Sequence, residues 1–290
     1  MKGIILAGGS GSRLYPITLG TSKQLLNVYD KPLIYYPLSI LMISGIREVL
    51  IISTPEYLNF YKNILGNGDE IGMKFEYLIQ DKPEGIAQAF LIAEKFINGE
   101  EVCLILGDNI IYGNQLSVLL RNSVQESVAK NKAMIFGYYV DNPESFGIAE
   151  FDKGKVISIE EKPAKPKSNY AVIGLYFYPK NIVEVAKNIK PSKRGELEIT
   201  SVNQYYLKED LLSINLLTRG FNWMDCGTVD SLLDASNFVK SIQTSTGFKI
   251  GCIEEIAFEL GYIDKKQFKN LIIKFKKNQY GKYLNKILNG

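Results

Sequence analysis

The chain predicts the α/β class: a mixed, mostly parallel sheet covered by helices on both faces, followed by a small C-terminal helical subdomain. Three observations carry that prediction. Short β-rich runs alternate with helical patterns through the first half of the sequence, the βαβα order that generates parallel sheets. Those runs are apolar throughout instead of alternating with polar residues, which marks strands buried on both faces. From about residue 250 the texture turns helical and lysine-rich, as in "DKKQFKNLIIKFKKN".

In order along the chain, strands are expected at "GIILA" (3–7), "REVLIIS" (47–53), "KFEYLIQ" (74–80), "EVCLILGD" (101–108) and "AMIFGYYV" (133–140). Helices are expected between them near 33–45, 55–65, 85–97 and 114–130. Right-handed crossovers then bring the ends of "ILA" and "LILG" to one edge of the sheet, where open α/β sheets bind ligands. After residue 145, "IAEFDKGKVISIEEKP" reads as a hairpin turning at Asp152 to Gly154, and "YAVIGLYFYP" as a further strand, so the sheet becomes mixed. "GELEITSVNQYYLKE" (195–209) is a helix, "LLSINLLT" (211–218) a strand, and "TVDSLLDASNFVKSIQT" a helix with Thr228 as its N-cap. The expected division is one large domain over 1–240 and a helical segment over 241–290 that packs on that domain or on another copy.

Composition removes several functions. At 290 residues and 46% hydrophobic, the chain can bury a large core. Thirty-four Lys and Arg against 31 Asp and Glu give a net charge of +3, too little for a nucleic-acid binder. The sequence holds no histidine, so an imidazole base, a Ser-His-Asp triad and a His-rich zinc site are all excluded. Cys103, Cys226 and Cys252 are odd in number and widely spaced, as expected of reduced thiols in a cytoplasmic protein. The apolar stretch of "MKGIILAGG" is too short and too glycine-broken for a signal peptide or a membrane span.

The stretch "LAGGSGSRLYP" (6–16) leaves the first strand through a loop bearing glycines at 8, 9 and 11. Bare backbone of this kind lets N–H groups approach a phosphate. Two familiar phosphate loops do not fit: a dinucleotide fingerprint anchored on Gly9 and Gly11 would need glycine where Leu14 stands, and no G-x-x-x-x-G-K-[ST] string occurs. Arg13 offers a bidentate fork to phosphate oxygens, and Lys23 in "TSKQLL" a compact second charge. A glycine turn with a solvated arginine is the plain alternative; strand, Arg13, Pro16 and Lys23 in series favour phosphate.

These residues, with "SKQLLNVYDKPLIYYPLS", "EGIAQAF", "LGDN", "EEKP", "SNYAV", "RGELEIT" and "GTVDSLL", resemble the sugar-1-phosphate nucleotidylyltransferases from Lys2 to about Leu288. The resemblance implies a Rossmann-like three-layer α/β/α nucleotidyltransferase fold. It also implies transfer from dTTP to α-D-glucose 1-phosphate with release of pyrophosphate, a first step toward dTDP-L-rhamnose, in a Mg²⁺-dependent, cytoplasmic homotetramer without nucleic-acid or membrane partners. UTP- or CTP-using members and a non-catalytic nucleotide-sensing homologue are the alternatives. A glycosyltransferase would commonly carry Asp-x-Asp where this chain has Gly107-Asp108-Asn109, and Leu14 disfavours a dehydrogenase.

Asp108 closes a buried strand where a carboxylate can reach the cleft, and Mg²⁺ takes one or two carboxylates with substrate phosphates. Asp225 in "FNWMDCGT" is the candidate partner; only the resemblance puts it beside Asp108, and capping of the helix near Thr228 is its other reading. The resemblance assigns Gly8, Gly9, Gly11, Ser12, Arg13, Lys23 and Asp108 to the nucleotide, with Gln24, Gln80 and Gly85 around the base. It assigns Asn109, Gly147 and Val172 to the sugar, Glu161 to its hydroxyls, and Lys162 and Arg194 to its phosphate. By pattern alone "EEKP" and Arg194 read as surface charge, and Glu196 and Glu198 as first-turn helix acids. On a strand Glu161 and Lys162 point to opposite faces, so both serve one ligand only if the chain bends there. Ile173 stands where the family usually has Thr, which removes a hydroxyl near the sugar. The reaction that the resemblance implies is an in-line displacement at the α-phosphorus, with Arg13, Lys23, Asp108, Lys162 and Asp225 as its catalytic groups. A sugar phosphate is already anionic near neutral pH, so no general base is required.

Overall fold

The computed structural model describes residues 1–9 and 11–290. Four parallel strands form the first half of a nine-stranded sheet: β1 (Lys2–Leu6), β4 (Glu48–Ser53), β5 (Lys74–Ile79) and β6 (Val102–Leu106). Two short strands, β2 (Asn27–Val28) and β3 (Lys31–Pro32), make a separate ribbon between β1 and β4. The parallel strands lie in the order β5, β4, β1, β6. The chain therefore moves outward from β1 on one side, then returns to its other side at β6. That reversal makes the carboxyl ends of β1 and β6 a switch point, the position where such sheets open a ligand crevice.

The second half mixes directions, as the sequence predicts. β7 (Asn109–Gly113) leaves the main sheet directly after β6. β8 (Ala133–Tyr139) and the hairpin of β9 (Gly147–Asp152) and β10 (Lys155–Glu161) follow, and β11 (Tyr170–Tyr178) runs antiparallel to β6, β8 and β9. β12 (Leu212–Leu217) lies parallel beside β8, and β13 (Phe221–Asp225) pairs antiparallel with β7.

Successive strand residues enter different cores. Ile5 belongs to a cluster with Leu41, Ile51 and Cys103, while Ile4 belongs to one with Leu50, Phe90 and Leu104. Both faces of the sheet are therefore covered, the reason its strands are apolar throughout. Helices α1 (Tyr35–Ile43), α2 (Leu58–Leu65), α3 (Gln88–Ile92), α4 (Glu94–Ile97) and α5 (Leu116–Lys130) occupy the expected connections, the 85–97 segment being broken at Ala93. Helix α6 (Ile182–Asn188), not among the expected elements, precedes α7 (Ile199–Lys208). The expected start of α7 at 195 is four residues early, and Glu196 and Glu198 lie before the helix, not in its first turn.

Helix α8 (Val229–Thr246) starts at Thr228, whose hydroxyl accepts from the Ser231 amide in a capping box. It runs unbroken through position 240. The C-terminal helices α9 (Ile253–Glu259), α10 (Lys265–Phe275) and α11 (Gln279–Asn289) send Ile253, Ala257, Phe268, Leu271 and Leu284 into the same core as Ile5 and Ile51. Each of these side chains other than Ala257 contributes about 1.5–3 kcal/mol through burial. Cys103, Cys226 and Cys252 are buried free thiols. Among the described residues no helix is long and apolar enough to cross a membrane.

Candidate active site

At the switch point the ends of β1 and β6 are locked together: the Gly107 amide donates to the Leu6 carbonyl at 2.9 Å, and Leu6 registers with Leu106. The glycine loop therefore departs beside Asp108. Gly9 and Gly11 have φ of +106° and +61°, in the left-handed region that a side chain resists. Leu14, fully buried, ends a short 3₁₀ turn from Ser12 and pins the loop to the core, while the preceding Arg13 stays exposed toward the cleft.

Two adjoining cavities open here. One, of about 310 Å³, is bounded by Gly8, Gly9, Gly11, Ser12, Arg13 and Lys23, with Pro83, Glu196 and Gly227 opposite. The other, of about 210 Å³, has Asp108, Asn109, Gly147, Glu161, Lys162, Val172 and Asp225 on its walls. Arg13 borders both.

Asp108 and Asp225 meet through the β7–β13 ribbon. Asp225 pairs with Asn109 in register, and the Cys226 amide donates to the Asp108 carbonyl at 3.0 Å. Asp225 is thus a strand residue, and Thr228 alone caps α8. Burial works against the Asp108 carboxylate, but Lys23, bonded to its Oδ2, and the Asn109 amide, 2.9 Å from its Oδ1, hold its pKa below the usual carboxylate range. Among the described residues the Asp225 carboxylate has no such partner. Burial first, and then the Asp108 charge, push its pKa up to about 6 against the fields of Lys23, Arg13 and Lys162. Two hard carboxylate donors at one spot, one repelled by the other, suit a hard divalent cation such as Mg²⁺, which takes few protein ligands and fills its shell with water and phosphate. Among the described residues no group of three or more His, Cys, Asp or Glu side chains could hold a metal ion.

On the second cavity, β10 ends at Glu161, and Lys162 adopts φ +43° while its amide donates to the Phe146 carbonyl at 3.0 Å. This bend lets both side chains reach the same space. A non-glycine residue in the left-handed region is costly, the kind of strain that gathers at functional sites. Glu161 accepts from Thr200 Oγ1 at 2.5 Å and lies 3.6 Å from Arg194. Arg194 itself is drawn to carboxylates, donating to Glu198 at 2.8 Å and lying 3.4 Å from Glu196, and it borders neither cavity.

The residues expected around the base are also set back. Gln24 and Gln80 are buried; Gln24 accepts from Ser22 at 2.8 Å, and Gln80 donates to Gln88 at 2.6 Å. Gln80 lies so close beneath Gly8 that a Cβ there would strike its amide oxygen. Gly85, at φ +105°, packs against the backbone of Leu197. None of the three borders either cavity. Ile173 points into the core on the opposite face from Val172, so its missing hydroxyl is not on the cavity wall.

The structure adds Glu196, Thr200, Tyr176 and Trp223 to the site. Tyr176 was legible, because Val172, Gly174 and Tyr176 share a face of β11 by strand periodicity. Trp223 lies two residues before Asp225 on β13, the same spacing on the same face.

Residues 2–242 match the family model for nucleotidyl transferase. The chain is 50% identical to the glucose-1-phosphate thymidylyltransferase of Neisseria meningitidis over 99% of both chains, and 50% identical to that of Mycolicibacterium smegmatis over the same shares. A Bacillus anthracis structure in complex with sucrose, provisionally named a glucose-1-phosphate thymidylyltransferase, superposes with a TM-score of 0.76 at 44% identity, covering 82% of this chain and 94% of that one. A UDP-glucose pyrophosphorylase complexed with UDP-glucose gives 0.73 at 26% identity, covering 83% and 98%. The glycine loop, the crevice at the reversal of the sheet and the near-full-length similarity agree: this chain belongs to the nucleotidyl transferase family.

Proposed function

We propose that this protein transfers the thymidylyl group of dTTP to α-D-glucose 1-phosphate, forming dTDP-glucose and pyrophosphate. One observation carries the reading: Arg13 stands on the border between a cavity walled by the glycine loop and a cavity walled by Glu161 and Lys162. Two anionic ligands seated in them meet end to end beside Asp108 and Asp225. The names of the relatives supply the nucleotide and the sugar.

A phosphate oxygen of the sugar phosphate attacks the α-phosphorus, the bond from that phosphorus to the bridging oxygen breaks, and the electron pair leaves with pyrophosphate. The nucleophile is already ionised, so positioning and charge neutralisation carry the rate. Glycine-loop amides and Arg13 hold the triphosphate, and Lys23 moves between it and Asp108. Lys162 holds the acceptor phosphate, Glu161 and Asn109 the sugar. Arg194 reaches that phosphate only by giving up part of its carboxylate contacts. Asp108 and Asp225 would hold Mg²⁺, which when bound neutralises phosphate charge.

Pyrophosphate release by the purified protein with Mg²⁺, glucose 1-phosphate and each of dTTP, UTP and CTP tests the reading. The fastest release is expected with dTTP. A wide margin for UTP would overturn the base assignment, and no release with any nucleotide would favour a sensing role. Family resemblance also supports a homotetramer, measured by light scattering, and free buried thiols support a cytoplasmic location, measured by fractionation of the source cells.

A further inference from the structure

We propose that Trp223 is a positioning residue for Asp108, acting through the side-chain amide of Asn109; this rests on the nucleotidyl-transfer reading above. Asn109 is 2% exposed, and its carboxamide is polarised from behind. Its Oδ1 accepts from the Trp223 indole N–H at 2.6 Å and from the Gly174 amide at 3.1 Å, which occupies both lone pairs. Its Nδ2 donates to Asp108 Oδ1 at 2.9 Å. Rotating the amide by half a turn would set its NH₂ against two donors and its oxygen against a carboxylate. The two N–H groups behind Asn109 therefore dictate that a donor faces Asp108.

The opposite carboxylate oxygen is bound by Lys23, so the plane of Asp108 is fixed from both sides. Trp223 is itself held edge-on by Phe146 and Tyr138, with ring centroids 5.3 and 5.9 Å away. Gly174 takes part because it lacks a side chain. A Cβ there would stand 2.8 Å from Asn109 Oδ1 and 2.7 Å from the Leu106 side chain. Trp223 also walls the sugar cavity, but a wall needs only an aromatic face. The indole N–H serves the amide, and only a positioning role depends on it.

Two variants separate these roles. Trp223→Phe keeps an aromatic wall, and β-(3-benzothienyl)alanine incorporated at 223 replaces the indole N–H by sulfur at nearly constant shape. Each is assayed for kcat and KM with both substrates, and for Mn²⁺ affinity by electron paramagnetic resonance. Loss of an outer partner of a ligating group is expected to lower kcat and Mn²⁺ affinity by roughly 10–100-fold. KM for glucose 1-phosphate, which Asn109 also holds, is expected to change less than kcat, the sign of an interaction that does more than bind substrate. Gly174→Ala, which disturbs Asn109 from its other side, should give the same split. Wild-type kcat and Mn²⁺ affinity in the benzothienyl protein would overturn the proposal, as would a raised KM for the sugar phosphate with kcat unchanged. A wild-type protein that releases no pyrophosphate overturns the reaction instead, and the Mn²⁺ titrations of the same proteins then decide the positioning role.

Discussion

The amide of Cys226 donates to the carbonyl of Asp108 at 3.0 Å, and this single bond closes the β7–β13 ribbon over the two acidic residues of the cleft. Cys226 is fully buried, so its backbone has no water to turn to and the bond is costly to lose. The shared placement of Asp108 and Asp225 sets the first two predictions.

Asp108→Asn should lower kcat by about 10²–10³-fold or more, the scale of removing a charge aimed at a transition state. It also leaves the Lys23 ammonium without its carboxylate, at a cost of about 1–3 kcal/mol, so the protein stays folded with a lowered Tm. Pyrophosphate release and circular dichroism melts check the two halves. Full activity would remove Asp108 from the metal site.

With Asp225 at about 6, the acid limb of the pH–rate profile should fall near pH 6 when Mg²⁺ is limiting. Cation and proton compete for the carboxylate, so saturating Mg²⁺ should move that limb to lower pH. A limb that ignores Mg²⁺ would take Asp225 out of the ligand set. The folded state keeps a proton that the unfolded chain has lost between its ordinary value of 3.8 and about 6, so the stability contributed by this group falls as pH rises through that window.

Glu255, 7% exposed, is pushed up to about 7 by burial, although the Tyr283 hydroxyl donates to it at 2.6 Å. Its folded value lies above its unfolded one, so stability is lost as pH rises from 4.5 to 7. Glu255→Gln keeps an acceptor for Tyr283 and should stabilise the protein at pH 8 by about 1–3 kcal/mol, with little change at pH 4. Urea unfolding at the two values measures the difference; equal shifts at both would refute it.

Gly85→Ala places a methyl group against the Leu197 backbone at φ +105°. The loop is tied there by bonds from the Leu197 amide to Glu84 O at 2.7 Å and from the Ala87 amide to Leu197 O at 3.0 Å. Strain of this kind costs about 1–3 kcal/mol. We expect a lower Tm and a higher KM for dTTP, with KM for glucose 1-phosphate little changed. Wild-type values for both nucleotide KM and Tm would free Gly85 of any part in the base pocket.

Much of the fold was legible because its signals are local. Continuous apolar runs marked strands covered on both faces, Thr228 marked the start of α8, and the bare loop with Arg13 marked the crevice at the reversal of the sheet. The strands 109–113 and 221–225 were not legible as strands. Each is five residues long and satisfies its backbone on the other, from a distant part of the chain. The surroundings of the amides at 24 and 80 were not legible either: in the fold Gln24 bonds to Ser22 and Gln80 to Gln88, partners that only the packed structure supplies.

The sequence by itself determined the parallel sheet, the glycine loop and the absence of imidazole chemistry, since composition and short-range periodicity decide all three. Only tertiary structure decided that Asp225 joins Asp108, that Lys162 bends beside Glu161, and that Arg194 is occupied by carboxylates. Charges acquire their chemistry from burial and near neighbours, and those follow from long-range pairing that leaves no trace along the chain.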